Sequence, residues 1–141
     1  MQTLARDIKS WGGELGFQEV AITDVDLSAH AAHLQEWLAR NFHGAMAYMA
    51  NNQDKRLHPE LLHPGTIRVV CVRMDYAQQR DNSLAPLADK DTAYVARYAR
   101  GRDYHKTLRK RLQRLADKIQ AHAGTMGYRA FVDSAPVPER A

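Results

Sequence analysis

The sequence predicts an α+β domain in which a mixed β-sheet is flanked by helices. Stretches with helical spacing of apolar residues alternate along the chain with short runs of β-forming residues. The resulting order is helix, strand, helix, strand, helix, strand, which suits helices packed on a sheet. A chain of 141 residues can build a core of its own, so we expect one domain over residues 1–141.

The first half of the chain begins with an amphipathic helix and continues with a strand and a second helix. The apolar residues that recur at helical spacing near the start are Leu4, Ile8, Trp11 and Leu15. Gly16 is expected to end this helix. The alternating run FQEVAIT (17–23) predicts a strand. Ser28 is the predicted N-cap of the second helix, which extends through Arg40.

The second half contains the clearest helix, between two predicted strands. The apolar run IRVVCVRM (67–74) is typical of a buried strand, and residues 75–92 are predicted to be an exposed loop. Asp103 is the predicted N-cap of a helix over about 104–122. Its apolar row, which is expected to face the core, is Tyr104, Leu108, Leu112, Leu115 and Ile119. The short run YRAFVD (128–133) predicts the last strand.

Composition excludes several classes of protein. No apolar run approaches the roughly 18 residues that span a membrane, and the N-terminus lacks the features of a signal peptide, so we expect a cytoplasmic protein. The one cysteine, Cys71, permits no internal disulfide and cannot hold an iron–sulfur cluster, which needs about four. The scattered histidines show no metal-ligand spacing, so we predict no metal site.

The positive charge is concentrated in one segment. Residues 97–118 carry a net charge of +7, and the rest of the chain carries −3. The polar face of the predicted helix carries four cations at i, i+4 spacing, which we call the basic row: Lys106, Lys110, Arg114 and Lys118. Like charges at this spacing oppose helix formation, so their retention favours a polyanionic partner. A solvated face that keeps the protein in solution is the alternative.

The segment that leads into this helix is a candidate anion site. Arginines precede a helix N-terminus, where free N–H groups and the positive end of the dipole favour an anion. Gly101 permits close approach of the backbone, and Tyr104 and His105 are expected in the first turn. The alternative is a capped helix start in which Tyr104 anchors the core.

Asp133 is the candidate catalytic residue. It follows a predicted strand and is flanked by apolar residues, which disfavour an ionised carboxylate. A carboxyl group kept protonated in this way can act as a general acid. The alternative is an Asp-Ser-x-Pro turn in which Asp133 only caps backbone N–H groups.

Four blocks of the sequence share their order with a known enzyme family. The blocks are GAMAYM (44–49), KRLHPELLHPG (55–65), VARYARGRDYHKTLRKRL (95–112) and FVDSAPVPERA (131–141). Together they resemble the N-terminal half of the epoxyqueuosine reductase family and cover essentially the whole chain. Pro138 departs from the family pattern, which usually has leucine there.

This resemblance implies an oxidoreductase that reduces the epoxide of epoxyqueuosine in tRNA to the alkene of queuosine. The family uses cobalamin beside 4Fe-4S clusters, as the related reductive dehalogenases do, and an external electron donor. The implied fold of the N-terminal half is nitroreductase-like, and a ferredoxin-like C-terminal half carries the cluster cysteines. Because the chain stops at Ala141, we expect that half to be absent and the isolated chain, a monomer, to be inactive.

The resemblance also implies roles for individual residues. Asp133 would donate a proton to the oxygen released when the epoxide opens, and it would lie beside the cofactor. The other residues in the matching blocks that would contact cobalamin are Arg56, Tyr98, Tyr104 and His105. The basic row would then face the phosphates of the anticodon stem-loop.

Two other functions are compatible with the same residues. The +7 segment alone is typical of a non-enzymatic module that binds tRNA or another anion. The absence of cluster cysteines also permits a corrinoid-binding domain without reductase activity. Binding of cob(II)alamin separates these hypotheses, because only a corrinoid site would alter its visible spectrum.

Overall fold

The computed structural model describes residues 2–76 and 85–133. These residues group into two compact units. The first unit comprises Met1–Ala21 and Val72–Ala123, and the second comprises Ile22–Cys71 and Gly124–Ala141.

The described residues form helices and one small sheet. The helices are α1 (Gln2–Glu14), α2 (Ser28–Ala39), α3 (Gln53–Leu57) and α4 (Tyr104–Ala123), and the strands are β1 (Glu19–Thr23) and β2 (Val69–Arg73). The strands pair as a two-stranded antiparallel sheet. The α+β class is therefore confirmed, whereas the sheet in the described residues is antiparallel and not mixed. None of the described helices is long and apolar enough to cross a membrane.

The end of α1 follows from its glycines, as the sequence predicts. Gly16 has a φ of 84°, a left-handed conformation that glycine adopts without steric cost. Its N–H donates to the carbonyl of Gly13 at 2.9 Å, and the N–H of Phe17 donates to the carbonyl of Gly12 at 3.0 Å. This pair of bonds is the Schellman motif, which satisfies the last helical carbonyls and turns the chain toward β1.

The core of the first unit lies between α1 and α4. Its buried side chains are Ile8, Phe17, Leu115 and Ile119. Glu14 pairs with Lys118, and Trp11 contacts His122, so the two helices run antiparallel. The apolar row predicted for α4 therefore faces inward, and the basic row lies on its exposed side.

Gly12 permits β1 to lie against α1, which leads to a stability prediction. A Cβ atom on Gly12 would overlap Cγ2 of Val20, whereas one on Gly13 would meet nothing within 4 Å. We expect Gly12→Ala to lower the free energy of unfolding by about 1–3 kcal/mol, because overpacking outweighs the better helix propensity of alanine. Gly13→Ala, the matched control, should instead leave it unchanged or raise it by up to about 1 kcal/mol. Urea unfolding measures both, and equal stabilities would contradict the close contact.

The second unit begins at α2, whose first turn differs from the prediction. Ser28 is the first helical residue and Leu27 occupies the N-cap position, without a side-chain capping bond. Asp26 precedes the helix, and its Oδ1 accepts a hydrogen bond from the N–H of Ser28 at 3.0 Å. This backbone bond holds the pKa of Asp26 below its usual range. Asp26, which lies two residues before the predicted N-cap Ser28, thus provides the hydrogen-bond acceptor for a free N–H group at the start of the helix.

Two strand predictions need correction. Residues 128–133 form no strand, although Val132 is buried together with Leu27 in the second unit. A strand requires a neighbouring strand, and the described residues contain only β1 and β2, which pair with each other. The strand in 67–74 is shorter than predicted, and its residues are half-buried or exposed, with Cys71 exposed.

The predicted loop over residues 75–92 is described only in part. Residues 77–84 lie outside the described residues, and so does the end of the chain from residue 134, which includes the turn after Asp133. Residues 87–92 are exposed, as the sequence predicts for a loop.

Candidate functional site

Three of the predicted cofactor-binding residues form one aromatic cluster at the start of α4, in the first unit. The rings of Tyr98 and Tyr104 are perpendicular, with centroids 6.3 Å apart. The rings of Tyr104 and His105 are stacked, with centroids 4.1 Å apart. Tyr98 is exposed and the other two are half-buried. The cluster therefore presents a connected aromatic surface at which a flat, partly apolar ligand can bind.

Asp103 caps α4, as the sequence predicts. Its Oδ1 accepts hydrogen bonds from the backbone N–H of His105 at 3.0 Å and from the imidazole Nδ1 of His105, also at 3.0 Å. The imidazole bond is the main reason that the pKa of Asp103 lies below its usual value. Because Asp103 supplies the negative charge at this helix start, the structure favours the capped-helix alternative over a site for an external anion.

The arginine that precedes the helix has another role. Arg100 donates from Nε to the carbonyl of Val95 at 2.7 Å, and its guanidinium lies over the ring of Tyr94 at 5.4 Å. It therefore holds the segment before α4 together. Gly101 has a φ of 85°, which permits the sharp turn between this segment and Asp103.

The basic row lies on the exposed face of α4, and among the described residues only its last member forms a salt bridge, although Lys106 lies close enough to Asp103 to help lower the pKa of that carboxyl group. Lys118 donates to Glu14 Oε2 at 2.6 Å. Among the described residues, Lys106, Lys110 and Arg114 form no salt bridge. Three unpaired cations along one helix face can contact successive phosphates of a polyanion, so either interpretation of the row is compatible with the structure.

Arg56 lies on α3 in the second unit and has an incompletely satisfied guanidinium. One Nη atom donates to the carbonyl of Tyr48 at 3.3 Å, whereas Nε is buried and has no acceptor among the described residues. A buried donor without an acceptor is unusual in a folded protein. The guanidinium therefore contacts the segment before α3 through one hydrogen bond and leaves its buried Nε without an acceptor among the described residues.

Asp133 also lies in the second unit, and its surroundings differ from the expectation. The side chain is exposed, so the apolar neighbours in the sequence do not desolvate it. Its backbone has a φ of 45°, a left-handed conformation that aspartate tolerates in turns. Val132, which precedes it, is only 6% exposed. Asp133 thus lies at the surface next to a buried neighbour, and the residues of the predicted turn that follow it lie outside the described residues.

The predicted site residues consequently fall into two groups. Tyr98, Tyr104 and His105 adjoin one another and the basic row in the first unit, whereas Arg56 and Asp133 belong to the second. Sequence reasoning missed the contact of Trp11 with His122. Trp11 shares the helical spacing of the apolar face of α1, but no local pattern in the sequence pairs it with His122. In the described residues, no group of three or more His, Cys, Asp or Glu could hold a metal ion.

Comparison with known proteins identifies relatives of the chain. The family model described as "Epoxyqueuosine reductase QueG, DUF1730" matches residues 56–134. The chain is 57% identical over 138 residues to the epoxyqueuosine reductase of Pseudomonas aeruginosa, covering 98% of this chain and 38% of that protein. It is 49% identical over 140 residues to that of Escherichia coli, covering 99% of this chain and 37% of the relative. No solved structure matches the chain.

These relatives are oxidoreductases, and the chain corresponds to a part of such an enzyme. The matched range is more than half of the chain and contains the aromatic cluster, the basic row, Arg56 and Asp133. The chain belongs to the epoxyqueuosine reductase family. It spans about 38% of the length of the Pseudomonas relative.

Proposed function

We propose that this chain is the corrinoid- and tRNA-binding N-terminal domain of an epoxyqueuosine reductase, with the fold of the nitroreductase-like domain of reductive dehalogenases. The observation that carries the proposal is the family match, which begins at Arg56 and includes Asp133. Every residue to which the sequence assigns cofactor binding or catalysis lies in that range. A cytoplasmic location among the tRNAs fits this role.

The reaction determines what the protein must provide. Reduction of an epoxide to an alkene takes up two electrons and two protons, breaks both bonds to the oxygen and releases that oxygen as water. Cobalamin, with 4Fe-4S clusters in the rest of the enzyme and an external electron donor, supplies the electrons when it is bound. The residues of this chain must then bind and orient the cofactor and the substrate and transfer a proton to the released oxygen.

The residues present suit a corrinoid, which is a large flat ring with amide arms. The surface of Tyr98, Tyr104 and His105 offers aromatic contact area, and two of its members also carry polar groups on half-buried rings. Arg56 is half-buried and carries further N–H donors besides the one that contacts Tyr48, and these can donate to the amide carbonyls of such a ligand. We propose each of these four residues as a contact for the cofactor.

Asp133 is the proposed proton donor. A general acid must reach the substrate oxygen, and Asp133 is exposed next to the buried Val132. Since the chain does not desolvate this carboxyl group, we assign its desolvation to the bound cofactor and substrate. Closure of a site by ligands strengthens such interactions because it expels water.

The unpaired cations of α4 support tRNA as the partner. Lys106, Lys110 and Arg114 are exposed and form no salt bridge among the described residues, which is the arrangement that phosphate contacts need. The same observation favours the second candidate function, an RNA-binding module without catalysis. Cofactor binding decides between them.

The test is the addition of cob(II)alamin to the chain and to a hybrid in which this chain replaces the matching segment of the Pseudomonas enzyme. We expect the visible spectrum of the cobalamin to change and the cobalamin to elute together with the protein, at the least with the hybrid. Arg56→Gln should weaken binding roughly 10- to 100-fold, as expected for loss of a hydrogen bond to a charged donor. Lys55→Gln, an exposed neighbour on α3, should bind like the parent. An unchanged spectrum in both proteins would leave RNA binding as the function.

A further inference from the structure

A shallow cleft of about 310 Å³, widely open to solvent, lies where α1 and α4 meet, at the end of the basic row. Its walls are Trp11, Lys118, Ala121 and His122. The rings of Trp11 and His122 meet edge to face, with centroids 5.6 Å apart and planes at 65°. The cleft therefore combines an aromatic corner with the ammonium group of a lysine.

The walls of this cleft are held in place by the fold of the first unit. Lys118 is fixed by its 2.6 Å bond to Glu14 of α1. Directly beside it on α4, Ile119 is buried in the core, as is Ile8 on the facing helix. Buried residues on both helices therefore fix the positions of the helix turns that carry Trp11 and His122. Fixed helix turns lower the entropic cost of ordering these residues on binding.

Size and charge restrict what this cleft can bind. A volume of about 310 Å³ is at the lower end of ligand clefts, so it accepts a single flat ring system but cannot enclose a macrocycle. The basic row runs from Lys106 to Lys118, roughly 18 Å along the helix, and His122 follows one turn later. The turns beside it expose polar residues, such as Gln113 and Asp117, which a membrane or an apolar peptide would not favour. A polyanion that carries flat rings fits both features.

We propose that the cleft lined by Trp11 and His122 stacks an unpaired nucleobase of an RNA whose phosphates contact the basic row. This base is not the one that is reduced; it anchors the RNA at a second place. Stacking on an aromatic side chain accepts any base, because every base has a π-face, so the cleft adds affinity without sequence preference. The inference rests on the proposed function only in taking RNA as the partner.

The first test uses fluorescence. The chain has two tryptophans, so Trp37→Phe leaves Trp11 as the only one. This protein is titrated with an RNA hairpin that has an unpaired loop, and with a blunt RNA duplex of equal charge. We expect the hairpin to quench Trp11 and the duplex to bind through the basic row without quenching.

The second test blocks the cleft without removing a core residue. Ala121→Leu places a larger side chain in the cleft from an exposed helix position, and Ala123→Leu is the matched control, exposed on the same helix and outside the cleft. We expect Ala121→Leu to weaken hairpin binding roughly 5- to 150-fold, the value of one base stacked on an aromatic ring. Duplex binding should not change, and the control should bind both RNAs like the parent.

The outcomes separate this inference from the proposed function. If both RNAs bind with salt-dependent affinity but neither quenches Trp11, the cleft is not a base site and RNA binding still stands. Equal quenching by hairpin and duplex, or no effect of Ala121→Leu, also overturns the inference. If neither RNA binds, both the inference and the tRNA part of the proposed function fail. Quenching by anionic lipid vesicles alone would assign the cleft to a membrane surface instead.

Discussion

Asp133→Asn in the hybrid enzyme is expected to lower turnover of epoxyqueuosine-containing RNA by roughly 10²- to 10⁴-fold, the usual contribution of a general acid. The opened epoxide leaves an oxygen that must be protonated, and an amide cannot release a proton to it. Binding of cobalamin and RNA should not change, because the amide retains the size and the hydrogen-bonding oxygen of the carboxyl group. Single-turnover assays with excess enzyme measure the chemical step separately from binding.

Asparagine is the appropriate substitution because of the backbone at this position. Asp133 has a φ of 45°, a conformation that Asn and Asp tolerate and that costs other non-glycine residues more. Asp133→Ala would therefore combine backbone strain with loss of the acid, and a loss of activity would have two causes. Asp75→Asn, an exposed aspartate of the first unit, serves as a control for charge. Parental turnover in the Asp133→Asn protein would exclude the proton-donor role.

Features that depend on neighbouring residues in the sequence were predicted correctly. The cap of α4 at Asp103, the Schellman end of α1 at Gly16 and the inward apolar row of α4 each arise within a few residues. Their physical causes, namely capping bonds, the left-handed conformation of glycine and helical periodicity, can all be read from the local sequence. The start of α2 was misassigned because Ser28 and Asp26 both have side chains suited to a helix start.

Features that depend on distant residues could not be predicted in the same way. The run 128–133 has the composition of a strand, but whether it forms one depends on a partner, and the two described strands pair with each other. The exposure of Asp133 depends on which elements cover it and not on its apolar neighbours in the chain. The cleft at Trp11 requires the antiparallel contact of α1 with α4, which joins residues more than a hundred positions apart.

Family resemblance supplied the part of the site that local patterns could not. Nothing in the spacing of Arg56, Tyr98 and Asp133 relates them to one ligand, whereas their places in matching blocks do. The structure adds two facts that the resemblance lacks, the stacked pair Tyr104–His105 and the unsatisfied Nε of Arg56. Both are specific enough to be tested by single substitutions.

Substitution of the basic row is expected to change the salt dependence of RNA binding strongly. Replacement of Lys106, Lys110 and Arg114 by Ala should reduce the slope of log affinity for RNA against log salt by about 2, since each contact with a single strand contributes roughly 0.7. Lys118 is left in place because it is paired with Glu14 and supports the fold. Filter binding or fluorescence anisotropy between low and moderate salt measures the slope.

The matched control for this triple variant is Lys9, Lys55 and Lys90 replaced by Ala. These lysines are also exposed but do not belong to α4, so the change in net charge is the same and only the positions of the replaced cations differ. Non-specific attraction responds to net charge, whereas counterion release responds to the cations that contact the phosphates. Equal slopes for the two triple variants would therefore assign the row to a solvated face. If only the triple variant on α4 shows the smaller slope, this helix is the surface that binds RNA.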